Sequence, residues 1–229
     1  FDFTIQLSRP LPSVPNPDSF IFSIDDGKIM FEGSNPSNDI IIGRAKNDCT
    51  LGSRKGLNIP GAIYDKEMQR NLIMNFLEEH SHIGINAIGL SFVQNSEIVD
   101  EVRSRYPNKI IVAKIENTEG LKNSKQICAI ADAVMIDRGD LSAEIGIENL
   151  FQAIIKIAHE TKMAGIPLIM ATENLSSMLI NQQPSKSDVI SLSHSIQIGT
   201  DAIMLSDETA MSVQYEPILD WLSTFLSKK

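Results

Sequence analysis

Residues 110–140 read IIVAKIENTEGLKNSKQICAIADAVMIDRGD, and this stretch decides the fold. Two short apolar segments, 110–115 and 133–136, each predict a buried strand. The segment between them, 120–131, predicts a helix. A strand, a helix and a second strand within about 30 residues are typical of a βαβ unit with parallel strands.

The same alternation continues on both sides of this stretch. Further strands are predicted at 87–93, 167–171 and 202–205, and further helices at 65–79, 96–106, 147–164, 187–198 and 216–226. Short, all-apolar strands that alternate with helices predict a parallel sheet covered by helices. A doubly wound sheet and a (β/α)₈ barrel both fit this pattern. The sequence has no GxGxxG after a strand, which disfavours a dinucleotide-binding fold.

Residues 1–61 have a different character. Pro10, Pro12, Pro15 and Pro17 exclude a regular helix there. Short strands are predicted at 20–24, 28–32 and 40–42, the first two joined by a turn at 25–27, and a glycine-rich loop follows at 50–61. We interpret this part as a small β-rich unit, an insertion or a lid.

Composition narrows the class of protein. The 229 residues include 20 Lys and Arg against 29 Asp and Glu, a net charge of −9, which disfavours nucleic acid or an anionic membrane as a partner. Cys49 and Cys128 lie far apart and indicate neither a disulfide framework nor a zinc site. No apolar run reaches the ~18 residues of a membrane-spanning helix, and no secretory signal opens the chain. We therefore expect a soluble protein of the cytoplasm.

Polar residues stand at the ends of four consecutive predicted strands. In a (β/α)₈ barrel such ends converge on one mouth, where the active site forms. The residues are Lys114 and Glu116; Arg138, Gly139 and Asp140; Thr172 and Glu173; Ser206, Asp207 and Glu208.

These residue types suit a metal-assisted reaction of an anionic substrate. Glu116 and Asp140 offer the hard oxygen ligands that Mg²⁺ or Mn²⁺ prefers. Lys114 lies two residues before Glu116, so both side chains project to the same side of the strand and the ammonium could stabilise enolate or phosphoryl charge. The turn at Arg138 begins a predicted short helix whose backbone N–H groups could hold a carboxylate or phosphate. Thr172 could bind the same anion.

Structural roles would also account for each residue. Lys114 and Glu116 could form only an ion pair at a strand end. Asp140 and Thr172 could be only helix caps, as could Ser206 and Glu208.

Five segments carry a resemblance to a known family. They are TLGSRKGLNIPG (50–61), AKIENTEGL (113–121), VMIDRGDLSAEIG (134–146), AGIPLIMATENLSSM (164–178) and TDAIMLSDETA (200–210). In order and spacing they resemble the barrel of pyruvate kinase, from about residue 25 to the end of the chain. The resemblance implies an incomplete (β/α)₈ TIM barrel at 61–229, with a reduced β-rich lid at 10–60 and a possible barrel strand at 1–9.

The resemblance also implies roles. Lys114 is similar to the catalytic lysine and Thr172 to the threonine on the proton-transfer face. Glu116 and Asp140 resemble the divalent-metal ligands, and Gly139 and Asp140, with Arg138 nearby, the substrate-carboxylate site. Ser206 and Glu208 match a motif that borders the site. A weaker match at the start pairs Asp2 with a monovalent-cation ligand and Arg9 with a phosphoryl-binding arginine.

The implied reaction is phosphoryl transfer from phosphoenolpyruvate to ADP, giving pyruvate and ATP, with Mg²⁺ or Mn²⁺. The resemblance also suggests K⁺ as a cofactor, although most of its ligands are missing here, and a homo-oligomer. The first two strands and the C-terminal domain of the family have no counterpart here, and Glu173, Asp207 and Ser142 depart from its motifs. Two alternatives follow: a metal-dependent 2-oxo-acid or enolate enzyme that has lost phosphotransfer, and a non-catalytic binding protein.

Overall fold

The computed structural model describes residues 4–7, 11–14, 16–25, 27–37, 40–48, 50–52, 55–62 and 65–228. The chain divides into two units. One comprises Phe1–Gly84 with Ser142–Ile147, and the other comprises Ile85–Leu141 with Glu148–Lys229. Helix 66–79, which was predicted as part of the barrel, falls in the first unit. The division into domains at residues 9 and 60 stays a prediction.

The first unit contains a four-stranded antiparallel sheet. Its elements are β1 (Phe20–Ile24), β2 (Ile29–Ser37), β3 (Ile40–Ala45), β4 (Leu57–Asn58) and helix α1 (Lys66–Glu79), and the strand order is β3-β2-β1-β4. The predicted hairpin is confirmed, with Asp25 and Gly27 at positive φ in its turn. Phe22 stacks on Phe31 with ring centroids 4.8 Å apart in a small buried core. The apolar residues of these short strands thus give the first unit a hydrophobic core of its own.

The second unit alternates strands and helices as the sequence predicts. Its strands are β5 (Ala87–Leu90), β6 (Ile110–Ile115), β7 (Ala133–Asp137), β8 (Leu168–Ala171) and β9 (Ala202–Ile203). Its helices are α2 (Ser96–Arg105), α3 (Thr118–Lys122), α4 (Ser124–Cys128), α5 (Arg138–Ile145, whose second half belongs to the first unit), α6 (Leu150–Ala164), α7 (Lys186–Gln197), α8 (Asp207–Met211) and α9 (Tyr215–Leu226).

The five strands of the second unit form one parallel sheet in the order β5-β6-β7-β8-β9. Each strand after β5 pairs with the strand that precedes it in the chain, so the order never reverses as it does in a doubly wound sheet. Sequential parallel order with helical crossovers is the pattern of a (β/α) barrel. The α/β barrel-type class is therefore supported over the doubly wound alternative.

The two faces of this sheet differ in burial. Ile111, Ala113 and Ile115 alternate along β6 and are fully buried, whereas Val112 and Lys114 on the other face are partly exposed. Alternation of this kind follows from the two-residue period of a strand. The second face is the one that carries the polar strand ends.

Aspartates placed just before two strands bind the start of the neighbouring strand. Asp132 Oδ2 accepts the Ile111 N–H at 2.7 Å, and Asp201 Oδ2 accepts the Leu168 N–H at 2.8 Å. A charge-assisted bond of this type satisfies a strand-end donor and fixes the register of the pair.

Local chemistry divides one predicted helix. The helix predicted at 120–131 is two short helices, because Asn117 caps α3 through the Gly120 N–H and Asn123 ends it. Helix α2 begins at residue 96 as predicted, and Asn95 caps it by accepting the Glu97 N–H at 3.0 Å.

Across the part of the chain that the structure describes, no helix combines the length and apolar character needed to cross a membrane.

Candidate active site

The register of the parallel sheet brings polar side chains from three strands together. Ile115 pairs with Ile136, and Asp137 pairs with Ala171. Glu116 therefore follows β6 on one side of Asp137 at the end of β7, and Thr172 follows β8 on the other side of Asp137. Carboxyl ends of neighbouring parallel strands lie at one edge of a sheet, as the sequence analysis assumed.

Lys114 places its ammonium among the carboxylates at this edge of the sheet. Its Nζ lies 2.5 Å from Glu116 Oε1 and 3.5 Å from Asp137 Oδ2, and it donates to Ser91 Oγ at 3.4 Å. Glu116 is fully buried, and its Oε2 accepts the Phe92 N–H at 2.5 Å. Phe92 holds a φ of 54°, unusual for a bulky residue, so the chain bends sharply to deliver this donor.

Burial and charge act in opposite directions on this pair. Burial lowers the pKa of Lys114, but attraction to Glu116, Asp137 and Asp140 outweighs it and raises the pKa above its ordinary value. Burial raises the pKa of Glu116, and Lys114 and the Phe92 N–H offset only part of that rise. Lys114 therefore stays protonated. A further positive charge beside Glu116 would stabilise its ionised form.

Three carboxylates form what we call the acidic cluster: Glu116, Asp137 and Asp140. One oxygen from each lies within 4.8 Å of the others. Three carboxylates outnumber the single Lys114 ammonium among them, and hard oxygen donors are the ligands that Mg²⁺ and Mn²⁺ prefer. The donor set therefore fits a divalent cation.

Thr172 is held by two hydrogen bonds at this edge. Its Oγ1 donates to Asp137 Oδ1 at 3.1 Å and accepts the Gly139 N–H at 3.1 Å. Its φ is 59°, and Glu173 and Leu175 also have positive φ. Such backbone is unfavourable for residues other than glycine and needs outside support.

Arg138 supplies that support. Its guanidinium donates to Ser191 Oγ at 2.8 Å, Asn174 Oδ1 at 2.9 Å and the Ala171 carbonyl at 3.3 Å, and also to the Thr172 carbonyl. Burial lowers the pKa of Arg138, while Glu173, Asp137 and Asp188 raise it. The predicted substrate-binding role of Arg138 stays a prediction, but its donors are used chiefly within the protein.

We expect Arg138→Lys to destabilise the fold. The ammonium replaces one or two of the guanidinium bonds and leaves the other buried acceptors unsatisfied, a loss of about 2–4 kcal/mol in the free energy of unfolding. Urea unfolding followed by circular dichroism measures it. The matched control is Arg105→Lys at an exposed position of α2, which we expect to change stability by less than about 0.5 kcal/mol. An unchanged urea midpoint for Arg138→Lys would contradict a stabilising role for these guanidinium hydrogen bonds.

The segment after Glu116 needs a glycine at position 120 for a steric reason. A Cβ at Gly120 would lie 2.3 Å from the Val93 carbonyl oxygen, closer than any real contact. We expect Gly120→Ala to cost about 1–3 kcal/mol through this overpacking. Gly89→Ala in β5 is the control, since its Cβ would meet nothing within 4 Å. Equal melting temperatures for the two variants would contradict this reason for Gly120.

The remaining predicted residues fall into two groups. Ser206 is the N-cap residue of α8 and Glu208 lies in its first turn, after β9 at the neighbouring position of the sheet. Their role in substrate binding stays a prediction. Asp2 and Arg9 lie outside the described residues.

Asp137, which joins the acidic cluster, was not predicted as a site residue. The strand predicted at 133–136 runs one residue further and ends at Asp137. The sequence held a signal, because Asp137 directly follows the apolar run 133–136 as Glu116 directly follows the run 110–115. Ser91 was also missed, and it follows the end of β5 beside Lys114.

Comparison with known proteins agrees with the geometry. The family profile described as "Pyruvate kinase, barrel domain" matches residues 11–217 of the chain. That range includes every residue of the acidic cluster, Lys114 and Thr172.

Named relatives give the same family. A pyruvate kinase of Eimeria tenella is 37% identical over 208 residues, which cover 87% of this chain and 38% of that protein. One of Encephalitozoon cuniculi is 36% identical and covers 86% of the chain and 46% of that protein. A "Pyruvate kinase, cytosolic isozyme" of Nicotiana tabacum is 34% identical, with 81% and 38% covered. The chain therefore spans less than half the length of these relatives.

Proposed function

Because the chain belongs to the pyruvate kinase family, we propose that the protein transfers a phosphoryl group from phosphoenolpyruvate to ADP and releases pyruvate and ATP. The observation that carries the proposal is the meeting of Lys114, the acidic cluster and Thr172 at one edge of a parallel sheet. Phosphoryl transfer depends chiefly on positioning and on electrostatic stabilisation, which are what these groups offer.

Lys114 is the residue we assign to charge stabilisation. Its ammonium is fixed among carboxylates, so it needs little reorganisation as negative charge develops on the transferred group or on the enolate oxygen. Its raised pKa keeps it charged throughout the ordinary working range. The 3.4 Å bond to Ser91 further restrains the lysine.

Glu116 and Asp140 would hold a divalent cation, as the resemblance implies. When bound, Mg²⁺ or Mn²⁺ would neutralise substrate oxygens and act as a Lewis acid. The start of α5 would receive the substrate carboxylate through backbone N–H groups of Gly139 and Asp140. Since the Gly139 N–H already donates to Thr172, carboxylate binding at Gly139 requires Thr172 to share or release this donor. K⁺ as a further cofactor rests on the family alone.

A coupled assay tests the proposal. The full gene product, supplied with phosphoenolpyruvate, ADP, Mg²⁺ and K⁺, should form pyruvate, and chelation of the divalent ion should abolish turnover. Mg²⁺-dependent binding of oxalate without turnover would favour the enolate enzyme instead. Neither turnover nor metal binding would favour the non-catalytic relative.

We place the protein in the cytoplasm, by analogy with the tobacco relative described as a cytosolic isozyme. Self-association is also part of the proposal, and light scattering after gel filtration tests it.

A further inference from the structure

Asp137 is the acidic residue for which neither the sequence motifs nor the family resemblance supplied a role. It ends β7, and its side chain is about nine-tenths buried. One oxygen, Oδ1, accepts the Thr172 hydroxyl at 3.1 Å. The other, Oδ2, lies 3.5 Å from Lys114 Nζ. A single carboxylate therefore connects the two side chains that the proposed reaction requires.

The bond to Thr172 fixes where that hydroxyl can act. A threonine hydroxyl has one hydrogen, and here it points to Asp137. The Gly139 N–H occupies one of its lone pairs. With both partners in place the rotamer and the direction of the O–H are set, although the backbone of Thr172 lies at an unfavourable φ of 59°.

We infer that Asp137 is a positioning residue that holds the Thr172 hydroxyl and the Lys114 ammonium in one geometry. This inference rests on the proposed function. Asp137 acts through Thr172 and Lys114 and does not itself touch the reacting atoms. Its loss should lower the rate of the chemical step more than the affinity for substrate.

The test measures two reactions of the full gene product. One is pyruvate formation from phosphoenolpyruvate and ADP. The other is exchange of the pyruvate methyl group in D₂O, in which a C–H bond breaks, the proton passes to solvent and a C–D bond forms, with no oxidant or reductant. The exchange reports on the proton-transfer face without phosphoryl transfer.

The variants are Asp137→Ala, which removes both contacts, and Asp137→Asn, which keeps an oxygen for the Thr172 hydroxyl but loses the charge that faces Lys114. We expect Asp137→Ala to lower kcat and the exchange rate about 10²-fold, with KM for phosphoenolpyruvate within about threefold, since misplacement costs rate. Asp137→Asn should retain at least about tenfold more exchange than Asp137→Ala. Asp100→Asn at an exposed position of α2 is the control and should behave as wild type.

A double-mutant test of Asp137 and Thr172 distinguishes a positioning role of Asp137 from a general structural one. In a Thr172→Val background, Asp137→Ala should lower kcat by less than about tenfold, because the hydroxyl it orients is gone. Circular dichroism confirms that each variant is folded, and the isosteric Asp137→Asn guards against loss of fold.

Several results would overturn the inference. One is a wild-type kcat and exchange rate in Asp137→Ala, and another is an undiminished loss in the Thr172→Val background. A Mn²⁺ affinity that falls more than about tenfold in Asp137→Asn would make Asp137 a metal ligand. A wild-type protein without turnover or exchange would refute the proposed function itself, and the inference with it.

Discussion

Replacement of Lys114 by methionine should reduce pyruvate formation by about 10³-fold, the largest effect we expect from a single change. The ammonium lies 2.5 Å from Glu116 and 3.5 Å from Asp137, so it is preorganised beside the proposed metal ligands. Methionine keeps most of the volume and loses the charge. Steady-state kcat and KM in the coupled assay measure the effect.

A structural ion pair would give a different result. If Lys114 only neutralised Glu116, the variant would lose stability and keep its kcat per folded molecule. Lys122→Met is the matched control, because Lys122 is exposed and pairs only with exposed Glu119 among the ion pairs of the described residues. A kcat for Lys114→Met within about tenfold of wild type would contradict the catalytic assignment.

The parallel sheet could be predicted because its strands are short and apolar. The 110–115 strand is confirmed at both ends, and the 133–136 strand gains only Asp137. Apolar runs mark such strands whatever their tertiary surroundings. The strand order was not predictable, since a barrel and a doubly wound sheet share the same alternation. The sequential pairing of β5 to β9 in the structure favours the barrel.

The candidate site was predicted in its composition and less well in its contacts. Lys114 and Glu116 lie two apart on a strand, so their proximity follows from local geometry. The contacts of the Arg138 guanidinium do not follow from local geometry, because its partners Asn174 and Ser191 lie 36 and 53 residues away in sequence. The same holds for Asp137, because its hydrogen-bond partner Thr172 follows the next strand and lies 35 residues away in sequence.

The departures at Glu173 and Asp207 have different surroundings. Burial lowers the pKa of Arg138, and the charge of Glu173 offsets part of that effect, so Glu173 favours the charged form of the buried guanidinium. Asp207 begins α8 and is exposed, where a carboxylate favours the helix N-terminus. For both residues the structure gives a local reason for negative charge that does not require contact with substrate.

Replacement of Glu116 by glutamine should separate metal binding from folding. The amide keeps the shape of the side chain and an oxygen for the Phe92 N–H. Burial already disfavours the ionised carboxylate and raises the pKa of Glu116. The amide NH₂ then faces Lys114 in place of a carboxylate oxygen, so we expect the free energy of unfolding to fall by about 1–3 kcal/mol while the fold is retained.

Metal affinity should fall sharply in the same variant, because the charge of the ligands governs the binding of hard cations. We expect Mn²⁺ binding, followed by electron paramagnetic resonance, to weaken at least about 10²-fold. Asp140→Asn should act in the same direction. Glu119→Gln is the control, since Glu119 is exposed on α3 and pairs with Lys122. Wild-type Mn²⁺ affinity in both Glu116→Gln and Asp140→Asn would place the metal elsewhere, because neither carboxylate would then be holding it.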